Sequence, residues 1–571
     1  MKMKKMKCVK TLGFAMGCSL LFICRTLSAG VLDVIISEVM YNPLPSSGLP
    51  GVEYVELYNA SAGEVSLSGW KLAVGKSLKN LPGLRLPAAS YLLLAAASDT
   101  AALSPYGRVA ALSSLSLNNT SQSLSLLDAE GRVVFGFTYR HEWQDDTRQT
   151  GGWSLEMADL AHPCEEEGNW VSSVSACGGT PGQPNSVQRT LVPQPLALSR
   201  VVNEDSVHIR VFFSQKAHPE AAKELSAYVL EGIGAEAVVE VLPDWKSVRL
   251  RLREGMRYGE VYRLRLAAPL CGCAGGEADG QAVRFARAEA VDSLDLVINE
   301  LLTHPYAGGS PFVELYNRSD KVLDLKYLRL SSLKSDGHLD TGKRVAADGW
   351  QLFPGAYVFL CKRVEAVTRF YAAPSEAGIA MDAFPSYAQG AGRVILLDKA
   401  RVVDDFSYDA AMHYPLLVST EGVSLERVHP DVSTPAASHW RSASSQCGYA
   451  TPGLRNSCFS EGGFSGVEVL QLENGVFSPD GDGYADVLKV RYVLPEAGYR
   501  GNVCIYRADG LPVCQLVRQE LLGAEGLWVW DGLSDSGQRV PLGAYLLVFE
   551  YWNLKGELHR VRRAVTVATR W

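Results

Sequence analysis

Short runs of apolar residues, or of apolar residues alternating with polar ones, recur along most of the chain. This pattern extends over five to eight residues in segments such as DVIISEVMY (33–41), YVELYN (54–59), YLLLAAA (91–97) and YVFLCK (357–362). Clusters of Asp, Gly, Ser and Pro separate the runs and mark turns. Short strands at regular spacing predict antiparallel β-sandwiches or barrels, and these regions show no sustained helical periodicity. The hydrophobic pattern therefore predicts an all-β protein.

The same series of segments occurs twice. VIISEVMYNP (34–43) matches LVINELLTHP (296–305), and VEYVELYN (52–59) matches FVELYN (312–317). Further matches keep the same order: SLSLLDAEGRVV (123–134) with RVILLDKARVV (393–403), WSLE (153–156) with VSLE (423–426), and NWVSSVSACGGTPGQPNS (169–186) with HWRSASSQCGYATPGLRNS (439–457). The offset stays between 258 and 271 positions. We interpret residues 31–188 and 294–458 as duplicated domains, and call them the first and second repeats.

These segments resemble a known family. The strand ISEVMYNP, the strand EYVELYN followed by LSGWKL, and the closing SLE, NW and GTPGQPNS are similar to the lamin tail domain of exported bacterial proteins. The matching positions are Glu38, Asn42, Pro43, Glu53, Glu56, Asn59 and Trp70 in the first repeat, and Glu300, Pro305, Glu314 and Asn317 in the second. The second repeat departs at His304 and Tyr327, where the first has Asn42 and Trp70. The resemblance implies an immunoglobulin-like sandwich for binding or display, without catalysis of its own.

Two other segments resemble further immunoglobulin-like domains. Residues 189–291 resemble a bacterial Ig-like domain, although CGCAGGEADG replaces its usual last loop, and the alternating Arg and Leu of RLRLRE predict one wet and one buried face. Residues 467–571 resemble C-terminal domains of the flagellar hook-capping type and of gliding-motility or type IX secretion cargo, through Trp530, Asp531, Gly532, Gly537, Gly543 and Tyr545. The predicted architecture is a signal peptide (1–29) and four Ig-like β-sandwiches in series, at 30–188, 189–291, 292–458 and 467–571, with a linker at 459–466.

The repeated acidic residues are candidates for chemistry. Glu38 with Glu56, and Glu300 with Glu314, could form carboxylate pairs. A Glu beside apolar strand residues more often points to solvent or pairs with an Arg across the sheet. We therefore expect these four residues to have structural roles.

The segment SPDGDGYAD (478–486) contains the candidate metal site. Asp480, Asp482 and Asp486 can converge on one calcium ion, because Gly481 and Gly483 permit a sharp turn. The segment is not an EF-hand, since the Glu expected at the twelfth position is missing. This segment is the best candidate site in the sequence: it is either a calcium site or an Asp/Gly turn without metal.

The N-terminus has the pattern of a secretory signal peptide. Five lysines precede the apolar stretch TLGFAMGCSLLFIC, and the small residues of TLSA offer a cleavage site near Ala29. Cleavage there would remove those lysines and Arg25, which changes the net charge from −7 to −13. A lipid anchor at Cys18 or Cys24 is disfavoured, since neither has the usual surrounding residues. No other run in the sequence is apolar enough to span a bilayer, so we expect an exported protein.

Export changes the interpretation of the cysteines. Nine of the twelve follow the signal peptide, and an oxidising compartment favours disulfides. Short spacings favour the pairs Cys164/Cys177, Cys447/Cys458 and Cys504/Cys514. Cys271 and Cys273 are too close to each other for an unstrained bridge, and Cys361 has no evident mate. Metal binding at Cys271 and Cys273 is disfavoured, because no second cysteine pair completes four ligands.

Charge and motifs narrow the range of functions. A negative net charge argues against nucleic-acid binding, and the sequence contains no metalloprotease, nucleophile-elbow, Walker or dinucleotide-binding motif. The leading hypothesis is a non-enzymatic, modular binding or adhesion protein that is exported to the bacterial surface, the outer membrane or the medium, with the periplasm as an alternative. Its partners would be proteins or glycans of the envelope, or secretion and outer-membrane machinery. The other hypotheses are a structural subunit of an envelope or secretion complex, and a hydrolase with an unrecognised site.

Overall fold

The computed structural model describes residues 30–44, 48–164, 166, 168–273, 275–334, 336–460 and 468–569. The predicted signal peptide and most of the predicted linker lie outside these residues. Strands dominate, which confirms the all-β fold class, and the two described α-helices are Thr100–Leu103 (α1) and Glu365–Thr368 (α2). Short 3₁₀ helices occupy His141–Trp143, Ala221–Lys223, Leu225–Ala227, Leu325–Tyr327, Ser375–Ala377, Ala410–Met412, Ala437–His439 and Ser445–Cys447. None of the described helices has the length and apolar character that crossing a membrane requires.

The first repeat contains strands β1 (Val34–Met40), β2 (Tyr54–Asn59), β3 (Val65–Ser66), β4 (Lys71–Val74), β5 (Ser77–Asn80), β6 (Arg85–Leu86), β7 (Tyr91–Ala96), β8 (Val109–Leu112), β9 (Ser121–Leu127), β10 (Val133–Arg140), β11 (Leu155–Met157) and β12 (Trp170–Ser172). They form a six-stranded sheet in the order β12-β11-β1-β2-β7-β8, a four-stranded sheet in the order β10-β9-β4-β5, and the pair β3-β6. Apolar side chains of both larger sheets, such as Ile36, Leu72 and Trp170, share one core.

The next segment is a smaller sandwich with strands β13 (Leu198–Asn203), β14 (His208–Phe213), β15 (Tyr228–Glu231), β16 (Ala235–Val241), β17 (Ser247–Leu252), β18 (Val261–Leu266) and β19 (Ala282–Ala286). Its sheets have the orders β13-β14-β17-β16 and β15-β18-β19. In β17, Leu250 and Leu252 are buried and Arg251 is exposed. The predicted wet and buried faces of this strand are therefore confirmed.

The second repeat contains strands β20 (Leu296–Leu302), β21 (Phe312–Asn317), β22 (Leu323–Asp324), β23 (Leu328–Ser331), β24 (Lys343–Arg344), β25 (Gln351–Leu352), β26 (Tyr357–Cys361), β27 (Gly378–Ala380), β28 (Ala391–Asp398), β29 (Arg401–Asp409), β30 (Leu425–Arg427) and β31 (Trp440–Ser442). The sheets are β27-β26-β21-β20-β30-β31, β24-β23-β28-β29 and β22-β25. Every strand takes the place of its counterpart in the first repeat, including the parallel edge strands β8 and β27. The two repeats therefore share one topology.

The last sandwich contains strands β32 (Leu470–Leu472), β33 (Val476–Phe477), β34 (Leu488–Val493), β35 (Tyr499–Arg507), β36 (Pro512–Leu522), β37 (Glu525–Trp530), β38 (Gly543–Trp552) and β39 (Leu558–Val567). Its sheets have the orders β32-β34-β37 and β33-β39-β38-β35-β36. Trp530 lies in the core, and its indole donates to the Leu533 carbonyl at 2.8 Å. The chain as a whole divides into two compact units, residues 1–194 with 272–276, and residues 195–271 with 277–571.

The alignment of Tyr327 with Trp70 is wrong by one residue. Lys71 and Arg329 occupy the same register position, opposite equivalent residues of β9 and β28. The counterpart of Trp70 is therefore Leu328, which is buried like Trp70. Tyr327 ends the 3₁₀ helix before β23, with 59% of its surface exposed. Matching one aromatic residue to another placed the alignment out of register, because the core position only requires a large apolar side chain.

The predicted disulfide Cys164/Cys177 is also wrong. Cys164 is bonded to Cys273, with Cα atoms 5.5 Å apart, and Cys177 is a free, exposed thiol. The true partner lies 109 residues away in sequence, so a rule based on short spacing does not find it. The disulfide also removes Cys273 as a metal ligand beside Cys271.

The other two predicted disulfides are not formed, and all four thiols are free. Cys447 and Cys458 point to different backbone carbonyls. In the last sandwich, β-bulges shift the pairing of β35 with β36, so that Cys514 lies opposite Ile505 instead of Cys504. A shift of one residue turns a side chain to the other face of a strand, which explains why the expected pair across the hairpin does not form.

Candidate functional site

Each repeat holds three glutamates in a row across three adjacent strands. In the first repeat, Glu38 of β1 lies opposite Glu56 of β2 and opposite Glu156 of β11. Residues directly opposite each other in antiparallel strands point to the same face of the sheet. All three side chains are fully buried. We call these residues the first glutamate row.

The loop that closes the first repeat covers this row with backbone donors. Its amides reach all three carboxyls: Thr180 N donates to Glu38 at 2.9 Å, Gly182 N to Glu56 at 2.6 Å, and Ser186 N to Glu156 at 2.6 Å. Gly182 has a φ of +76°, and an added Cβ would fall on the carbonyl oxygen of Tyr106. Only glycine fits this position, because it tolerates the left-handed conformation and the close approach of backbone.

Hydroxyl groups extend the network around the first row, and one oxygen of Glu38 has no hydrogen-bond partner among the described residues. The donors are Ser37 to Glu56 at 2.7 Å, Tyr54 to Glu38 at 2.7 Å, and Ser154 to Glu38 at 2.6 Å. Burial raises the pKa of Glu38 to about 7, and the nearby Glu156 carboxylate adds to the rise. Burial and the charge of Glu38 also raise the pKa of Glu56 well above its usual value. The raised pKa values of Glu38 and Glu56 therefore favour the protonated form of these carboxyls.

The second repeat builds the same arrangement, which we call the second glutamate row. Glu300 of β20 lies opposite Glu314 of β21 and Glu426 of β30, and all three are fully buried. Amides of the closing loop again reach each carboxyl: Thr451 N donates to Glu300 at 2.9 Å, Gly453 N to Glu314 at 2.5 Å, and Cys458 N to Glu426 at 2.8 Å. Burial and the neighbouring Glu426 raise the pKa of Glu300 to about 8.

The structure corrects the expected surroundings of the repeated glutamates. Glu38, Glu56, Glu300 and Glu314 neither face solvent nor pair with an arginine across the sheet; backbone amides and polar side chains hold them inside. Sequence reasoning missed the third member of each row, although SLE and TPG recur in the same order in both repeats. These enclosed carboxyls anchor the closing loop of each repeat.

The structure brings the three aspartates of the predicted metal site together. Each of Asp480, Asp482 and Asp486 offers an oxygen atom, and these oxygens lie within 4.8 Å of one another. Calcium binds oxygen at 2.3–2.6 Å, so ligands on opposite sides of the ion lie about 5 Å apart. Gly481 and Gly483 have φ angles of +84° and +87°, and their amides donate to Asp486 at 2.6 and 2.8 Å. The spacing and donor type fit a calcium ion.

A local hydrogen bond favours the charged form of Asp480. The Ser478 hydroxyl donates to Asp480 at 2.7 Å and holds the pKa of that carboxyl below its usual value. A cavity of about 300 Å³ lies beside Asp486, and Glu473 also lines it. A further oxygen ligand or water molecules could therefore complete a coordination shell of six to eight oxygens.

The comparison with protein families identifies one domain. Residues 28–141 match the family model for the lamin tail domain. The matched range includes β1 to β10 and two members of the first glutamate row, Glu38 and Glu56. This agrees with the resemblance of the first repeat to that family. The curated proteins include no match.

Several solved structures of surface proteins show distant similarity. The S-layer protein rSbsC(31–844) has 10% identity, with 66% of this chain and 54% of that chain covered and a TM-score of 0.16. Latent dimeric PorU from Porphyromonas gingivalis has 10% identity, coverage of 70% and 35%, and a TM-score of 0.15. PorZ, a surface component of the type IX secretion system of the same organism, has 10% identity, coverage of 94% and 81%, and a TM-score of 0.16. The chain spans 40% to 55% of the S-layer structures that it matches. Similarities this distant do not transfer a function.

Proposed function

We propose that the chain is an exported, modular protein that binds or presents proteins or glycans at the bacterial cell envelope and catalyses no reaction. The N-terminal pattern of lysines and apolar residues supports export. The lamin tail match at 28–141 and the series of β-sandwiches support a role in binding or display. We assign the last sandwich, residues 468–569, the role of engaging secretion or outer-membrane machinery.

The enclosure of the glutamate rows carries this proposal. Clustered carboxyls with raised pKa values are a common sign of a catalytic site. Here all six of these glutamates are fully buried and hydrogen-bonded to a closing loop. Such groups stabilise a fold, whereas the loops and strand edges of each sandwich stay available for partners.

Protease treatment of intact cells tests the proposed location. We expect an added protease to cleave the chain in whole cells, while a periplasmic marker stays intact. Protection of the chain until the outer membrane is permeabilised would contradict display at the surface. Crosslinking of the same cells would then identify the partner, and a partner recovered at fixed stoichiometry would favour a structural subunit instead. Hydrolysis of envelope substrates by the purified chain would overturn the non-enzymatic assignment.

We also propose that Asp480, Asp482 and Asp486 bind calcium and stabilise the last sandwich. The loop connects β33 to β34, which belong to different sheets of that sandwich. An ion bound here would tie a flexible Asp/Gly segment to one conformation. Carboxylates of three residues and an exposed position are typical of calcium sites in extracellular modules.

Calcium titration of the purified full chain tests this second proposal. With a Kd of about 10⁻⁴ M, about 10 mM calcium would stabilise the sandwich by about 2.7 kcal/mol. We expect D482N and D486N to remove this effect in thermal unfolding. The matched control is D336N, since Asp336 also precedes a glycine with positive φ in a turn. Equal calcium responses in the wild type, D482N and D486N would reject the site.

A further inference from the structure

A cavity of about 300 Å³ lies between the second repeat and the last sandwich, within the second compact unit. One side is formed by residues 411–415 and the end of β31, and the other by the loop 496–498 and the hairpin turn 553–555. Its polar lining residues are His413, Tyr414, Arg441, Ser442, Glu496, Asn553 and Lys555. Small-molecule sites typically begin at about this volume and combine apolar walls with a few polar groups.

Tyr414 lines this cavity, and its hydroxyl is a buried, unsatisfied polar group. Tyr414 has only 9% of its surface exposed, and its hydroxyl has no hydrogen-bond partner among the described residues. Its backbone amide donates to the Ser442 hydroxyl at 2.9 Å, which holds the residue in place. Burial raises the pKa of Tyr414, so the hydroxyl stays neutral and able to donate. An acceptor on a ligand would therefore gain a hydrogen bond that the free protein leaves unmade.

The charges around the cavity favour a ligand with one negative group. Arg441 lies 3.9 Å from Glu496, so these two charges largely balance each other. Lys555 is the remaining cation of the lining. His413 lies 3.0 Å from the Ser442 hydroxyl, and burial lowers its pKa to about 4, so the imidazole is neutral at pH 7. It offers its second ring nitrogen as a neutral polar group.

We infer that this cavity binds an acidic sugar residue, such as a hexuronic acid in a glycan. Lys555 would attract the carboxylate, the Tyr414 hydroxyl would donate to a ring or hydroxyl oxygen, and Glu496 would accept from a sugar hydroxyl. Leu554 also lines the cavity and is 56% exposed, which suits packing against the apolar face of a sugar ring. The choice of ligand rests on the proposed function, because a protein of the cell envelope meets glycans.

Ligand-observed NMR and calorimetry on the full chain test the inference, with sodium D-glucuronate as the probe and D-glucose as its neutral counterpart. We expect glucuronate to bind at least about fivefold more tightly than glucose. Y414F removes only the hydroxyl, and K555Q removes only the charge of an exposed turn residue. Each should weaken glucuronate binding about fivefold. The matched control is R562Q, which removes an exposed positive charge of β39 outside the cavity and should leave the Kd unchanged.

Three results would overturn this assignment. The first is that the wild type does not bind glucuronate at about 50 mM. The second is that it binds glucuronate and glucose equally well, and the third is that Y414F and K555Q both bind glucuronate as tightly as the wild type does. Failure here is separable from failure of the proposed function. If surface proteolysis locates the chain outside the cell and glucuronate does not bind, the surface role stands and the acidic sugar is rejected.

Discussion

The two repeats bury the same row of carboxyls with partly different side chains. Both use three backbone amides of the closing loop. Two side-chain donors differ. Tyr54 donates to Glu38, whereas Phe312 takes the equivalent register position in the second repeat. Ser37 donates to its glutamate in the first repeat, and Asn299 does so in the second. Other hydroxyl donors are kept, since Ser154 and Ser424 each donate to the central glutamate of their row. The comparison teaches that the backbone donors and these hydroxyls are the fixed part of the arrangement, whereas the donors at positions 37 and 54 can be exchanged.

The repeats also differ at the last residue of the strand that carries the third glutamate. Met157 ends β11, and Arg427 ends β30. Both side chains are buried. The Arg427 guanidinium donates to the Ile298 carbonyl at 3.1 Å and lies 3.6 Å from the buried Asp404. The second repeat therefore holds a buried ion pair that depends on both partners, where the first repeat has an apolar residue.

The largest expected loss of stability comes from replacing Arg427 with methionine, the residue that the first repeat has at the end of the equivalent strand. R427M leaves the Asp404 carboxyl buried without its cation, which we expect to destabilise the second repeat by about 3–5 kcal/mol. Urea unfolding, with hydrogen exchange of β20 and β30, measures the change. Adding D404N should recover much of the loss, because an amide needs no counter-charge. M157L, the control in the first repeat, should cost less than about 1.5 kcal/mol. Little change in R427M would show that the ion pair contributes no stability.

Replacing the glycine of each closing loop with alanine tests how tightly that loop packs over its glutamate row. Gly182 and Gly453 both have positive φ, but a Cβ on Gly182 meets the Tyr106 carbonyl oxygen, whereas one on Gly453 lies 2.8 Å from the Ala377 methyl group. We expect G182A to cost about 3 kcal/mol and G453A about 2 kcal/mol. Hydrogen exchange of each closing loop checks this order. A greater cost for G453A would contradict it.

The glutamate rows predict a loss of stability as pH rises. The pKa values of Glu38 and Glu300 are raised from 4.5 to about 7 and about 8. The stabilisation is fully present below pH 4.5 and is lost as pH passes about 7 in the first repeat and about 8 in the second. We expect a loss of about 3–5 kcal/mol across this range from each row, with the greater loss in the second repeat. Unfolding at a series of pH values measures it, and the E38Q and E300Q variants should show a flatter pH dependence. An unchanged pH dependence in both variants would exclude these carboxyls as its cause.

The smallest expected effect comes from exchanging the hydroxyl that only the first repeat uses. Y54F removes the donor to Glu38 and should cost about 1 kcal/mol, while the pKa of Glu38 rises because its charged form loses a hydrogen bond. F312Y is the reciprocal variant, and it should lower the pKa of Glu300 if the new hydroxyl reaches that carboxyl. NMR titration of labelled glutamates reads both changes. A fall in the pKa of Glu38 in Y54F would contradict this role of the hydroxyl.

The strands and the duplication could be predicted from local patterns, but the glutamate rows could not. Glu38 and Glu56 are close in sequence, yet Glu156 joins them only through the pairing of β1 with β11. The repeated motifs mark these residues as a set without showing that they face inward. A hydrogen bond from a loop amide to a buried carboxyl overrides the usual preference of Glu for solvent. The sequence of the surrounding strands does not predict this hydrogen bond.

The cysteines show the same limit of local reasoning. Spacing favours Cys177 as the partner of Cys164, whereas the fold selects Cys273. Bulges likewise decide that Cys504 and Cys514 do not meet. The three aspartates near residue 480 could be found, because a nine-residue loop brings them together without distant pairing.

The bridge between Cys164 and Cys273 has a mechanical consequence. A pull on the two ends of the chain, such as shear on an attached cell, would pass directly from one sulfur to the other. The strands enclosed between these positions, 109 residues apart in sequence, would carry no tension and would extend only after reduction. Under load, the chain would therefore have a shorter reach than its length suggests. Strands β13 to β18 of the smaller sandwich would be shielded from stretching, whereas β19 lies outside the closed loop.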